Sequence, residues 1–420
     1  MDEGREVLDV EAALRGATDI LAERFAESVD VRAQLFRMVS KDGVLKALPP
    51  PGEAEIPRRF SRFRGYEERI SRIPPHRYLA LRRAEKEGAI ATRIDYDETK
   101  VLAEIARRSF PGERPEPQRE LLEGAAHEAV RRVIAPAVLT EVRRASKVHA
   151  DRDAVRVFTR NLADLLLMPP AGARRTMGLD PAPRGAVHLA CVGERGEPLG
   201  HERIKPFAKD EARAAAAGET VVRLCRAHEV EVVALGNGGG SHECELFLAR
   251  ALEELGEGAP AVVVVDEAGT GAYASGPVGR AELPGLPVPA RAAVSLARRL
   301  QDPLAELVKI DPKQIGVGQY QNDVDQALLR RALHDVVEHC VNSVGVDLNR
   351  APLHQLAAVC GLGSGRARAI DGALNAASIV SGPPPHEAIE RLESRLNSIA
   401  ERIDLFLGQA ARRRDHDLLL

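Results

Sequence analysis

Gly361, Gly363 and Gly365, followed at once by Arg366 and Arg368, are the residues of this chain best suited to grip a phosphate. They stand in LAAVCGLGSGRARAI, with Leu356 and Val359 before the glycines and Ala367 and Ile370 after them. That spacing fits two helices joined by a tight turn, the helix-hairpin-helix pattern. Glycine at Gly361 and Gly363 allows the turn and leaves backbone N–H groups bare at the start of the second helix. Groups so placed hold a phosphate oxygen without reading the base behind it. Arg366 and Arg368 add positive charge beside them. Gly-Leu-Gly can also be a plain turn between helices, and the matching apolar spacing on either side argues for the hairpin.

A second basic stretch, RRFSRFRGYEERISRIPPHRYLALRR, holds nine arginines interleaved with Phe60, Phe63, Tyr66 and Tyr78, in a chain that is only 3% aromatic. Arginines such as Arg62 and Arg64 suit backbone phosphates, and the rings suit stacked bases. The alternative is a helix pair with the rings in its core and the arginines solvated or bridged to Glu67, Glu68 and Glu85.

Carboxylates form the third candidate group. Asp180 ends one strand-like run, Asp266 and Glu267 end another, and Asp302 follows a helical run. Acids converging from separate strands hold paired magnesium ions for phosphodiester cleavage, which makes Asp180, Glu267 and Asp302 the candidate catalytic and metal-binding residues. Acids in such places also serve as ordinary helix caps and turn formers. The glycine-rich GNGGGSHE lacks the ending of a P-loop, and Ser241 replaces the third glycine of a dinucleotide fingerprint. His242, Glu243 and Glu245 fit the first turn of a helix better than a metal site.

These groups must be positioned by a chain of 420 residues, 44% hydrophobic and 29% charged, long enough for two to four domains. No run approaches ~18 apolar residues and the start, MDEGREVLDV, has no basic flank, so a cytoplasmic protein with no membrane partner is expected. Five scattered cysteines with no CxxC pair point to reduced thiols rather than a disulfide frame or zinc site. The net charge of −3 leaves any attraction to nucleic acid to local patches. The first third reads as helical, with Val10, Leu14, Ile20, Leu21 and Phe25 at helical spacing. From Pro169 the pattern alternates. TMGLD, AVHLACVGE, VEVVALG and PAVVVVDEAG read as strands, the last as a buried one, with helices DEARAAAAGETVVRLCRAHE, SHECELFLARALEEL and RAAVSLARRLQD among them. An α/β domain with a mixed sheet follows from this order.

MGLDPAPRG, VVALGNGGGSHECE, VVDEAGTGAYASG, SLARRLQDPLAELVKIDPKQIGVGQYQNDVDQALL and CVNSVGVDLN, in that order and ahead of the hairpin, resemble the bacterial Tex family of transcription accessory proteins. The resemblance runs from Asp9 to Ala376. It implies an α/β plus all-α fold, an RNase H-like (YqgF-type) mixed-sheet domain between a helical N-terminal region and a helix-hairpin-helix C-terminal region. The boundaries expected are 1–168 for the helical region, 169–308 for the mixed-sheet domain and 309–377 for a linker with the hairpin. A C-terminal amphipathic helix and tail take 378–420. Lys309–Val324 becomes the crossing between the last two domains, turned by Gly316 and Gly318 and anchored by Tyr320.

By the same resemblance the chain is a nucleic-acid-binding transcription accessory protein that holds RNA or DNA by its backbone, without sequence specificity or cofactor, near the transcription machinery. The family's leading helix-turn-helix region, second hairpin unit and OB-fold RNA-binding domain have no visible counterpart, so a truncated member is expected. Ala182 stands where the family has glycine, ahead of Pro183, and His242 where a basic residue is usual. The alternatives are a magnesium-dependent nuclease of the RNase H or resolvase type, and a scaffold that acts through protein contacts alone. Beyond the resemblance, Ile389, Leu392, Leu396, Ile399, Ile403 and Phe406 form an apolar seam at 3-4-3-4-3 spacing. Residues 386–407 are therefore expected either to pack back on the chain or to join two copies as a homodimer.

Overall fold

The computed structural model describes residues 9–50, 56–109, 112, 114–181, 186–348 and 351–379. The seam at 386–407 and the loop residues Ala182 and Pro183 lie outside them. By its contacts the chain divides into two compact units, residues 1–157 with 320–326 and residues 158–319 with 327–420.

In the first unit, α1 (Val10–Glu27) begins on Asp9, whose carboxylate accepts the Ala12 N–H at 2.6 Å. α2 (Val29–Asp42) begins on Ser28 and buries Val31, Leu35 and Val39 along one face. Three short strands follow at wide intervals: β1 (Val44–Leu48), β2 (Glu67–Arg69) and, after α3 (Pro75–Lys86), β3 (Ala91–Asp95). They pair antiparallel in the order β2-β1-β3. An all-helical reading misses this sheet, because Glu-Glu-Arg has no strand propensity of its own and is held extended by its ladder to β1. α4 (Glu98–Ser109), α5 (Glu116–Ala129) and α6 (Ala135–Leu166) complete the helical frame. Between α5 and α6 one π turn, Val130–Ile134, closes with the Ala135 N–H on the Val130 carbonyl, just before Pro136 withholds an amide from the regular ladder. The core joins the buried face of α2 to Ile94, Ile105, Val130, Ile134 and Val138.

Tyr320–Gln326 belongs to this first unit. The Tyr320 ring lies under the Arg83 guanidinium at 4.9 Å, and Arg83 Nε also donates to Asp323 Oδ2 at 2.8 Å. An ion pair and a cation–π contact thus hold the segment in place.

The second unit is built on a mixed sheet of β4 (Thr176–Asp180), β5 (Val187–Val192), β6 (Pro198–Ile204), β7 (Val232–Gly236) and β8 (Ala261–Val265), in the order β6-β5-β4-β7-β8. β4 pairs antiparallel with β5 and parallel with β7, so it lies at the centre and is buried on both faces. Met177 and Leu179 point into a core shared with the helices α7 (Glu211–Ala227) and α8 (Ser241–Leu252). Gly178, between them, points to the other face. The short helices α9 (Thr270–Ser275) and α10 (Pro277–Glu282) lead to α11 (Val288–Gln301), which lies so close to Gly178 that a Cβ there would run into the Ala293 carbonyl. β8, expected to be buried, is instead the edge strand, and Val263 and Val264 stay 37% and 48% exposed. Further on come α12 (Pro303–Leu307), α13 (Pro312–Ile315), α14 (Gln326–Val344), α15 (Leu353–Ala357) and α16 (Gly363–Ile379). No described helix is long and apolar enough to cross a membrane.

A buried network of charges ties α9 to α12 together. Glu306, 1% exposed, accepts from Ser295 Oγ at 2.6 Å and from Lys309 Nζ at 2.8 Å. Lys309, 7% exposed, also donates to Glu282 at 3.1 Å, where Arg298 Nη1 and the Tyr273 hydroxyl converge at 2.8 and 2.7 Å. Burial alone would push the Glu282 carboxyl up; Lys309, Tyr273 and Arg298 outweigh it and hold the carboxyl below its ordinary value. Charges this deep stabilise only when every partner is present. Glu306→Leu, which takes from Lys309 one of its two carboxylates and from Ser295 its acceptor, is expected to cost about 3 kcal/mol in urea unfolding. Glu306→Leu combined with Lys309→Met should cost clearly less than the sum of the separate changes; simple additivity would show that the pair is not coupled.

Candidate nucleic-acid interface

The glycine hairpin is a compact structure on the second unit. α15 ends at Ala357, the Leu362 N–H turns back to the Val359 carbonyl at 3.1 Å, and α16 begins at Gly363. Gly361 and Gly363 have φ of 78° and 63°, the left-handed region that side chains with a Cβ avoid. Leu362 between them is 8% exposed and packs with Leu356, Ala367 and Ile370, so the turn is pinned from inside while its glycines face outward. The first amides of α16, those of Gly363, Ser364 and Gly365, have no acceptor within the helix, and the three residues are exposed. Open space lies where a Cβ on Gly363 or Gly365 would go. Arg366 Nη1 donates to the Gly361 carbonyl at 2.8 Å and Arg368 Nε to the Ser364 carbonyl at 3.1 Å, which keeps both guanidinium groups beside the helix start. All five residues expected at this site therefore meet on one exposed surface.

α14 braces the hairpin from behind. Asn342 Oδ1 accepts the Cys360 N–H at 3.1 Å, while its Nδ2 donates to the carbonyls of Ala358 at 3.3 Å and Glu338 at 2.6 Å. Cys360 Sγ lies 2.7 Å from the Glu338 carboxylate. Neither Asn342 nor Glu338 is evident from the hairpin motif. Their i, i+4 spacing puts them on one face of α14, but only the fold shows that this face meets the turn.

In the arginine-rich stretch the rings go into the core and the arginines are solvated or bridged, as in the second of the two readings, but the elements that carry them differ. The stretch forms a 3₁₀ turn over Arg58–Phe63, then β2, a second 3₁₀ turn and α3, rather than a helix pair. Phe60, Phe63 and Tyr78 are buried, Phe60 stacks on Phe63 at 6.4 Å, and Tyr66 meets Phe63 edge-on at 6.0 Å. These rings belong to the core and are not free for bases. Arg77 pairs with Glu68 at 2.9 Å and Arg59 with Glu87 at 2.6 Å. Arg62 lies over the Phe63 ring at 4.9 Å, and Arg62 and Arg64 are exposed. A stacked guanidinium keeps its N–H edge open, so charge remains where base stacking does not.

The carboxylates divide into two places. Asp180 at the end of β4 and Glu267 just beyond β8 face each other, and burial, followed by the Glu267 charge, pushes Asp180 up to about 6. The Glu267 carboxylate rests against Gly236 and Gly238. Asn237 holds the loop, accepting the Glu267 N–H at 3.0 Å and donating to Asp266 at 3.3 Å. Behind it Arg299, 3% exposed, donates to the carbonyls of Asp266 and Ala268 at 2.5 and 2.9 Å. Its Nε and Nη2 find no partner among the described residues, and burial lowers its pKa.

Asp302 is elsewhere. It caps α12 by accepting the Ala305 N–H at 2.9 Å. The preceding Gln301 donates to the carbonyls of Arg174 and Gly193 at 2.6 and 2.8 Å, at the end where β4 begins rather than where it ends. The expected trio is split by the length of a strand, with Asp180 and Glu267 at one end and Asp302 at the other. Among the described residues no group of three or more His, Cys, Asp or Glu side chains is arranged to hold a metal. His242, Glu243 and Glu245 occupy the first turns of α8.

A carboxyl raised on folding weakens the fold as it ionises. Well below pH ~4 Asp180 is neutral in both states; as pH climbs through ~4 toward 6 the unfolded chain releases its proton first, and stability falls. Asp180→Asn is therefore expected to stabilise the protein at pH 7 by on the order of 1 kcal/mol, discounted for the water that still reaches the carboxyl. Denaturation curves should converge with the parent's only below pH ~3, where the carboxyl is neutral in folded and unfolded chain alike, and a gain independent of pH would refute the electrostatic cause.

Known proteins share much of this sequence. Residues 1–158 match the Tex central region-like family, and residues 174–301 match the Tex protein YqgF-like domain. The transcriptional accessory protein Tex of Neisseria gonorrhoeae is 38% identical over 362 residues, covering 84% of this chain and 47% of that protein. Protein YhgF of Escherichia coli K12 is 39% identical over 368 residues, covering 85% of this chain and 47% of its own length. S1 RNA-binding domain-containing protein 1 of Homo sapiens is 35% identical over 324 residues, covering 74% of this chain and 32% of its own. The chain spans about half the length of the bacterial relatives it matches. With the central region and the YqgF-like domain in sequence and a mixed sheet between helical parts in structure, the chain belongs to the Tex family.

Proposed function

We propose that the chain binds RNA or DNA by the phosphate backbone, without sequence preference, as an accessory factor in transcription. The observation that carries this reading is the start of α16, where two left-handed glycines, unsatisfied amides and a pair of arginines share one exposed surface. Amides at a helix start carry the positive end of the helix dipole and donate directly to phosphate oxygens. The apolar residues packed on either side of the turn support reading it as a helix-hairpin-helix motif. Contacts of this kind position a nucleic acid and leave its bases unread. Arg62 and Arg64 supply further phosphate contacts on the first unit, without base stacking, because the neighbouring rings are buried.

The family supports the same reading. A relative named transcriptional accessory protein and another named for an S1 RNA-binding domain both align with most of this chain. Phosphodiester cleavage by Asp180, Glu267 and Asp302 gains nothing from the placement of Asp302 at the far end of β4.

Binding of labelled mixed-sequence RNA and DNA should fall steeply with salt as counterions are released. Gly363→Val, at φ 63°, should weaken binding to every sequence alike. Arg366→Gln with Arg368→Gln should flatten the salt dependence by about one phosphate equivalent for each arginine that reaches a phosphate in the parent. Unaltered affinity in both variants would remove the hairpin from the function.

A further inference from the structure

Asn342 is exposed near the end of α14, yet its carboxamide is fully committed. One amide hydrogen goes to the Glu338 carbonyl within its own helix, the other to the Ala358 carbonyl at the end of α15, and the oxygen takes the Cys360 N–H. The orientation admits no flip, because the reverse would set the NH₂ against an N–H and the oxygen against two carbonyls. Ala358 and Cys360 bracket Val359, whose carbonyl takes the Leu362 N–H that closes the turn. A single side chain thus satisfies an acceptor and a donor of the segment that delivers Gly361 to its left-handed conformation.

We propose that Asn342 is the positioning residue of the hairpin: it sets the angle at which the Gly361–Gly365 turn presents its amides to a nucleic-acid phosphate. The proposal rests on the backbone-binding reading above and adds to it a residue that touches no ligand. Three features single out Asn. Leucine has the same bulk and satisfies none of the three groups. Aspartate keeps the acceptor for Cys360 and sets a negative charge against the Ala358 carbonyl. Glutamine is one carbon longer and displaces both loop contacts. Leu362 in its apolar pocket fixes the depth of the turn, and Asn342 ties the backbone on both sides of Val359 to α14.

The test is a double-mutant cycle on the full chain, with Asn342→Leu and Gly363→Val made singly and together, read by binding of a labelled mixed-sequence RNA and the matching DNA. Asn342→Leu should weaken binding about tenfold, the effect of one or two well-made hydrogen bonds. In the Gly363→Val background, where the hairpin no longer binds, it should have no further effect. Asn342→Asp should fall between the parent and Asn342→Leu and should keep the Cys360 amide slower to exchange with solvent than Asn342→Leu does. Equal losses in both backgrounds would show that Asn342 acts on the unit as a whole and would overturn the proposal. Full binding by a folded Asn342→Leu or Asn342→Asp, with binding abolished in Gly363→Val, would also overturn it while leaving the hairpin function intact. An unchanged Gly363→Val would instead defeat the function on which it rests.

Discussion

The contact between α11 and the middle of β4 is what the second unit depends on. Because Gly178 presents no side chain on that face, the helix settles against the sheet at backbone distance, with Ala293 and Ala297 over the glycine. Everything that leaves α11 is aimed by that seat. Arg298 reaches the β5–β6 turn at the Gly196 carbonyl, Arg299 braces the loop after β8, and Gln301 ties the end of the helix to Arg174 and Gly193. A side chain at Gly178 would tilt the helix and misplace all of these contacts together, which makes this position more sensitive than its small size suggests.

Fixed in this way, α11 also explains why the charges sort as they do. Its inner side meets Glu306 through Ser295, and its end holds Asp302 in a capping role. The acids at the opposite end of the sheet, Asp180 and Glu267, are left to each other, with Asn237 and Arg299 supporting the loop between the strands. The unit therefore has a well-compensated buried network and a strained acid pair. At the hairpin, by contrast, helix-start amides and two guanidinium groups share an exposed surface.

The hairpin is legible in sequence because everything that forms it is local. Turn glycines, flanking apolar residues and arginines all lie within LAAVCGLGSGRARAI. The strands β4, β5, β7 and β8 and the helices α7, α8 and α11 are legible too, as uninterrupted apolar runs or helical stripes. β6 escapes notice because PLGHERI has little apolar character and pairs only along one side at the sheet's edge. The small sheet of the first unit is hidden by distance along the chain, since its ladders join residues near 45 to residues near 68 and 93. Asp302 misleads because adjacency to a helix end carries no information about which end of the sheet that helix reaches. The aromatic rings mislead for a related reason: interleaving with arginine is compatible with a core as well as with a binding face, and only burial separates the two.

β8 carries a liability of its own. Ala261–Val265 ends in four valines, has no strand on its outer side among the described residues, and leaves two of its valines partly open. Such a strand is a template for pairing with any extended chain that meets it, including another copy caught partly folded. Its protection is local. Pro260 precedes it and cannot extend the ladder, Asp266 and Glu267 follow it with negative charge, and the strand is only five residues long. The loop that draws the acid pair together therefore has a second effect, as a gatekeeper that keeps a sticky edge too short to seed an aggregate.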